Sequence, residues 1–178
     1  MARKIILSAG HGGIDPGTSG NGYIERDLAI ELRNLIVAEL KALGINALVD
    51  DDKNALKQTL LWLRGKFTTG DILLDIHWNS AGPDAKGSEI FIPDQSSSFE
   101  RTLAADLLKC FTIFGFKSRG VRPESQSARK TLGWMRPGAE NLLIEVCFIS
   151  NVLDMKLYQA NKHGIARRIA LTLNQYSK

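Results

Sequence analysis

Two spacings of apolar residues alternate along the chain. Ile5, Ile6 and Leu7 form a short run that ends at Ser8 and leads into a loop carrying Gly10, Gly12, Gly13, Gly17, Gly20 and Gly22. An apolar run bounded by turn residues predicts a buried strand, followed here by a segment in which the backbone turns tightly. Over residues 26–43, Leu28, Leu32, Leu35, Ile36 and Leu43 recur at helical spacing, and Gly44 supplies the C-terminal stop. Residues 45–49 read as a second strand. Asn54 is placed to cap a helix whose Leu56, Leu60, Leu63 and Phe67 share one face. Residues 71–78 and 88–92 read as the third and fourth strands, 99–114 as a helix and 142–148 as the last strand. Tyr158, Ile165, Ile169, Leu173 and Tyr176 give a closing helix its apolar stripe.

Strand and helix alternate, which predicts an α/β fold: a single domain over residues 1–178, with a mostly parallel mixed sheet and helices on both faces. The short step from the third strand to the fourth, across residues 79–87, invites an antiparallel pair. With 178 residues, 44% hydrophobic, 24% charged and five prolines, the chain is neither disordered nor fibrous. Cys110 and Cys147 lack C-x-x-C spacing and sit among apolar neighbours, so they read as buried thiols rather than a disulfide or a cysteine metal site.

The net charge is +4. Its basic excess gathers in residues 117–136, where Lys117, Arg119, Arg122, Arg129, Lys130 and Arg136 face Glu124 alone. Such a segment is either a solvated loop or an attractor of polyanions, nucleic acid or an anionic cell wall. No aromatic-rich strand or recognition helix accompanies it, so no nucleic-acid partner is expected. No apolar run approaches the ~18 residues of a membrane span, and no stable membrane association is expected. Residues 1–4 followed by Ile5 to Leu7 mimic a signal peptide only briefly. The expectation is a monomer made in the cytoplasm without an export signal.

Ligands in open α/β sheets collect beyond the carboxyl ends of the strands. His11 follows the first strand, His77 ends the third, and Glu145 lies in the last; Glu25 follows the glycine-rich loop and opens the first helix. Two imidazoles and a carboxylate make a catalytic zinc set with an open fourth position, and a second carboxylate can act as general base. A charge inside Leu142-Leu143-Ile144-Glu145-Val146 costs several kcal/mol unless paired or ligated, which marks Glu145. Asp75 shares the face of His77 and either orients it or pairs with a base. His163, beside Lys162, is expected to be exposed and idle.

The stretches Leu7 to Gly17 (LSAGHGGIDPG), Glu25-Arg26-Asp27-Leu28, Asp75-Ile76-His77-Trp78-Asn79-Ser80 and Leu143 to Asn151 (LIEVCFISN) resemble, in order, the motifs of the zinc-dependent N-acetylmuramoyl-L-alanine amidases of the type 3 family. The resemblance implies that His11, Glu25 and His77 hold Zn2+, that Glu145 is the catalytic glutamate, and that the substrate is the amide joining N-acetylmuramic acid to L-alanine in peptidoglycan. It also implies substrate contacts for Asn79, Arg119 and Arg136. Asp50-Asp51-Asp52 departs from the family's pattern after the second strand, as does Leu61-Trp62-Leu63-Arg64 in the next helix, and both departures touch the expected grip on substrate. Competing readings are a zinc carboxypeptidase of similar layout, an inactive wall-binding module and, on the basic segment alone, a nucleic-acid binder. A compact phage lysin that waits in the cytoplasm and acts on the wall at lysis fits the family reading, as does a bacterial wall enzyme.

Overall fold

The computed structural model describes residues 2–178; Met1, part of the signal-like start, lies outside them. Six strands build one sheet: β1 (Ile5–Ser8), β4 (Leu48–Val49), β5 (Ile72–Asn79), β6 (Ser88–Ile92), β7 (Ser118–Pro123) and β8 (Glu140–Phe148). Their order is β4-β1-β5-β8-β6-β7. The pairs β1·β4, β1·β5, β5·β8 and β6·β7 are parallel and β6·β8 is antiparallel, so the sheet is mixed and mostly parallel. The third and fourth predicted strands, β5 and β6, do run in opposite directions but are not neighbours. The longer β8, apolar at Leu142, Leu143, Ile144 and Val146 to Phe148, inserts between them and buries both of its edges.

Helices α1 (Glu25–Ala42), α3 (Ser98–Thr112) and α4 (Val152–Tyr176) cover one face, packing Leu32, Ile36, Leu107, Phe111, Ile165 and Ile169 against Ile5, Leu74, Ile76 and Ile144. Gly44, at φ +81°, ends α1 as expected, with the Ile45 N–H donating to the Leu40 carbonyl. Ser97 and Glu100 cap α3 reciprocally, each side chain accepting from the other's backbone N–H. The opposite face carries a smaller cluster of Ile6, Leu73, Phe91, Leu143, Trp134 and Met135, covered in part by the short helix α2 (Leu56–Trp62).

Helix α2 stops at Trp62 rather than reaching Phe67, and its N-cap is Ala55, with no side-chain cap. Asn54 is occupied instead in the turn before it, its N–H donating to the Asp51 carbonyl. Two strands escaped prediction inside the glycine-rich loop, where β2 (Ser19–Gly20) and β3 (Tyr23–Ile24) form a small hairpin. The basic segment, for which the sequence leaves both a solvated loop and an attractor of polyanions open, begins as the edge strand β7 and continues through two 3-10 turns.

Candidate metal centre

The strands alternate their side chains between the two faces, and the face covered by α2 changes character along its length. Leu73, Leu143 and Phe91 form an apolar floor, while Asp75, His77 and Asn79 on β5, Glu145 on β8 and Glu89 on β6 occupy the same face nearer one end. His77, Glu145 and Glu89 stand in one row across three neighbouring strands. A cleft of about 880 Å³ opens above this row.

His11 reaches the cleft from the loop after β1, and Glu25 from the first turn of α1. Donor atoms of His11, Glu25 and His77 all lie within 4.8 Å of one another. Glu25 Oε1 is 3.3 Å from His11 Nε2 and 3.0 Å from His77 Nδ1. The Glu25 carboxylate is fixed from behind, accepting from the Trp78 N–H at 3.0 Å and the Thr18 N–H at 2.8 Å. Each histidine has an aspartate on its other ring nitrogen: Asp15 at 3.0 Å from His11 Nδ1, and Asp75 at 3.0 Å from His77 Nε2. Asp75 is itself held by the Gly10 N–H at 2.9 Å. Carboxylates behind imidazoles set the tautomer and ring orientation, which is the arrangement that supports histidine ligands in metal sites.

Two glycines make this closeness possible. A Cβ at Gly17, where φ is +65°, would stand 2.6 Å from Glu25 Oε2 and 2.7 Å from His11 Cδ2. One at Gly10, at φ +60°, would meet the His77 ring at 2.6 Å and the Ile76 carbonyl at 2.7 Å. The left-handed backbone and the missing side chain serve the same end.

The electrostatics of the cluster follow from burial and pairing. Burial disfavours the charged imidazole of His77, but Asp75 and Glu25 outweigh it and hold its pKa well above the usual value. His11 is raised too, with Glu25 and Asp15 overcoming desolvation. Burial would raise Glu25, yet the hydrogen bonds of the two histidines hold it far below the usual carboxylate range. Glu145 behaves oppositely: burial pushes its carboxyl up to about 8, with His77 opposing and Glu25, Glu89 and Asp75 adding to the rise. Its Oε2 is shut off from solvent and has no hydrogen-bond partner among the described residues. Two acidic residues of the same cleft are thus driven in opposite directions, a division that accompanies distinct chemical roles.

Asn79 and Arg119 line the cleft as well, but Arg136 does not; it is more than half exposed and paired with Glu124. Asp50 and Asp52 belong to the scaffold rather than to the cleft. Both pair with Arg33, Asp50 also accepts from Ser8 and Thr59, and the Asp52 carbonyl receives the N–H of Gly13 in the loop that carries His11. His163 is exposed. Sequence reasoning passed over Asp15 and Glu89. Glu89 carried the same signal that marked Glu145, an acid in an apolar strand, here Ser88-Glu89-Ile90-Phe91-Ile92, and it is 2% exposed.

The fold is shared with known proteins. The structure of an N-acetylmuramoyl-L-alanine amidase from Clostridium difficile 630 superposes with a TM-score of 0.82 at 20% identity, over 98% of this chain and 96% of that one. The YqiI protein of Bacillus subtilis is 29% identical over 157 residues, 85% of this chain and 73% of its own length. The endolysin of Bacillus phage SPP1 is 24% identical over 153 residues, covering 82% of this chain and 56% of the endolysin. The sequence model of the N-acetylmuramoyl-L-alanine amidase family matches residues 5–175, from the first residue of β1 to the last turn of α4. That interval contains the whole sheet and every residue that converges on the cleft, and the chain belongs to the N-acetylmuramoyl-L-alanine amidase family.

Proposed function

We propose that this chain is a single catalytic domain that hydrolyses the amide between N-acetylmuramic acid and L-alanine in peptidoglycan, with Zn2+ held by His11 Nε2, Glu25 and His77 Nδ1. The observation that carries this reading is the convergence of those three donors within 4.8 Å, in the same cleft as a buried carboxylate oxygen, Glu145 Oε2, that has no hydrogen-bond partner among the described residues. Two neutral imidazoles and one carboxylate fit a catalytic zinc site, which keeps a position open for substrate or water.

When bound there, zinc supplies Lewis-acid polarisation of the amide carbonyl and a water that ionises near neutral pH. The rest is done by the chain. Asp15 and Asp75 hold the imidazoles with the correct nitrogens turned inward, and the N–H groups of Thr18 and Trp78 keep Glu25 from rotating away. Glu145 Oε2 takes the proton of the attacking water and delivers it to the nitrogen of the departing L-alanine. In the metal-free cleft burial raises the proton affinity of Glu145; a divalent cation bound beside it would favour the carboxylate, the form that accepts the proton of the water. Asn79, at the end of β5, and Arg119, on β7, line the cleft and meet the substrate there.

The cell wall is the place of action in this reading, and peptidoglycan the partner. No helix among the described residues is long and apolar enough to cross a membrane. Digestion of purified peptidoglycan followed by mass spectrometry of the products tests the proposal. New L-alanine amino termini with intact lactyl groups are expected; cuts confined to bonds within the peptide would reassign the chain as a peptidase, and uncut wall with retained binding would make it a binding module.

A further inference from the structure

Beyond Glu145, on the side away from the metal ligands, the cleft wall carries a second polar cluster. Glu89 is buried on β6, and its carboxylate gathers three groups: Asn79 Nδ2 at 2.6 Å from Oε1, Arg122 Nη1 at 3.0 Å from Oε2, and Arg119 Nε at 3.3 Å from Oε1. Strand alternation alone would not put Arg119 and Arg122 together, because an odd spacing sends them to opposite faces. A bulge corrects this. Ser88 pairs with Ser118 but Glu89 pairs with Gly120, so Arg119 is the extra residue, and Gly120 takes φ +96° to accommodate it.

Both guanidiniums are thereby brought to the cleft face, where they are 30% and 35% exposed. Their hydrogen-bonding capacity is far from used. Each guanidinium carries five N–H groups; Arg122 spends one on Glu89, and Arg119 makes no aligned hydrogen bond among the described residues, its buried Nε being without a partner. Arg119 also lies over the Phe148 ring, its Cζ 4.9 Å from the ring centre. Two oriented guanidiniums anchored on one buried carboxylate form a site for a planar anion.

The order of the strands says which part of the substrate meets it. His11 follows β1, His77 is on β5, Glu145 on β8, Glu89 on β6 and the arginines on β7, and these strands are consecutive across the sheet. With the scissile carbonyl at the histidines and the departing nitrogen at Glu145, the leaving peptide runs outward over β6 and β7. Strands are spaced about 4.8 Å apart and an extended peptide advances about 3.4 Å per residue. The guanidiniums are therefore within reach of the first about three residues of that peptide. We propose that Arg119 and Arg122, anchored on Glu89, form a subsite for a free carboxylate on the leaving peptide, within about three residues of the scissile nitrogen. This deepens the amidase reading and rests on it.

The test uses a pair of synthetic N-acetylmuramoyl-peptides that differ only in having a carboxylate or a carboxamide at such a position, hydrolysed by the zinc-loaded protein. The carboxylate form is expected to have the higher kcat/KM, by roughly 10- to 100-fold, the range of charge-assisted hydrogen bonds. In Arg122→Gln and Arg119→Gln that ratio is expected to fall toward one. Equal rates for the two substrates in the unmodified protein would overturn the subsite and leave the amidase reading standing. Failure to cleave either substrate would overturn both. A ratio preserved in both variants would show that the arginines do not read the carboxylate.

Discussion

Glu89 and Glu145 stand directly opposite one another on the antiparallel pair β6 and β8, with the same alternation turning both to the cleft. Their partners differ. Glu89 has drawn the nearby cations and amide to itself, while Glu145 is left with a buried oxygen that has no partner among the described residues. Glu89 is thus engaged in local structure, and in the proposed reaction Glu145 is the carboxyl left to exchange a proton.

Replacing Glu89 by Gln keeps its shape and removes its charge, leaving two guanidiniums without their counter-ion. Because both arginines are about a third exposed, water compensates in part, and the expected loss of stability is about 1–3 kcal/mol. A urea midpoint unchanged by Glu89→Gln would show that the cluster is electrostatically idle.

Gly17→Ala should injure zinc binding more than folding. The added methyl group would press on both Glu25 Oε2 and the His11 ring, so the donors must spread. A fall in zinc affinity of about 10–100-fold is expected, comparable to loss of a group that orients a ligand. Titration calorimetry with zinc measures it, and an unaltered affinity would mean that the loop relaxes freely.

Much of this was legible from the chain because it depends on local period or on chemistry that is costly to hide. The strand at Ser88 to Ile92, the closing helix and the Gly44 stop follow from short-range pattern. Glu145 stood out as an acid in an apolar run. The position of β8 between β5 and β6 was not legible, since strand order reflects packing among elements distant in sequence. Ser118 to Pro123 carries no clean alternation, and its bulge is visible only once β6 lies beside it. The pairing of Arg119 and Arg122 with Glu89 was hidden for the same reason, and what read as a basic patch is in part an internal counter-charge.

Metal removal exposes the proton chemistry of the cluster. Without metal, His11, His77 and Glu145 all bind protons more tightly in the folded protein than in the unfolded chain. Groups with raised folded values contribute their full stability below their unfolded values and lose it as pH rises through the folded ones. Glu25, with its depressed value, acts in the opposite sense, but its contribution is complete above the ordinary carboxylate range and constant from about pH 6 upward. The metal-free protein should therefore become less stable between about pH 6 and pH 9. Urea midpoints in chelator across that interval check the sign; a steady rise would contradict it.

Zinc should be needed for hydrolysis and largely dispensable for folding. The two apolar clusters on either face of the sheet are independent of the cleft donors, and a domain of this length buries about 70% of its unfolded surface. Chelation should abolish wall lysis while leaving far-ultraviolet circular dichroism nearly unchanged. Collapse of the spectrum would recast the metal as structural, and lysis that survives chelation would remove it from the mechanism.

The division of labour between ligand set and base is the central claim, and Glu145→Gln tests it most directly. The substitution leaves His11, Glu25 and His77 untouched and removes the proton carrier. Metal content by plasma mass spectrometry, measured beside cleavage of an N-acetylmuramoyl-peptide, should show a full complement of zinc and a rate lower by about 10²–10⁴-fold, the usual worth of general acid–base help. Glu25→Ala should do the reverse, losing metal and regaining part of its activity in excess zinc. A Glu145→Gln protein that purifies without zinc, or that cleaves at near the unmodified rate, would contradict the account.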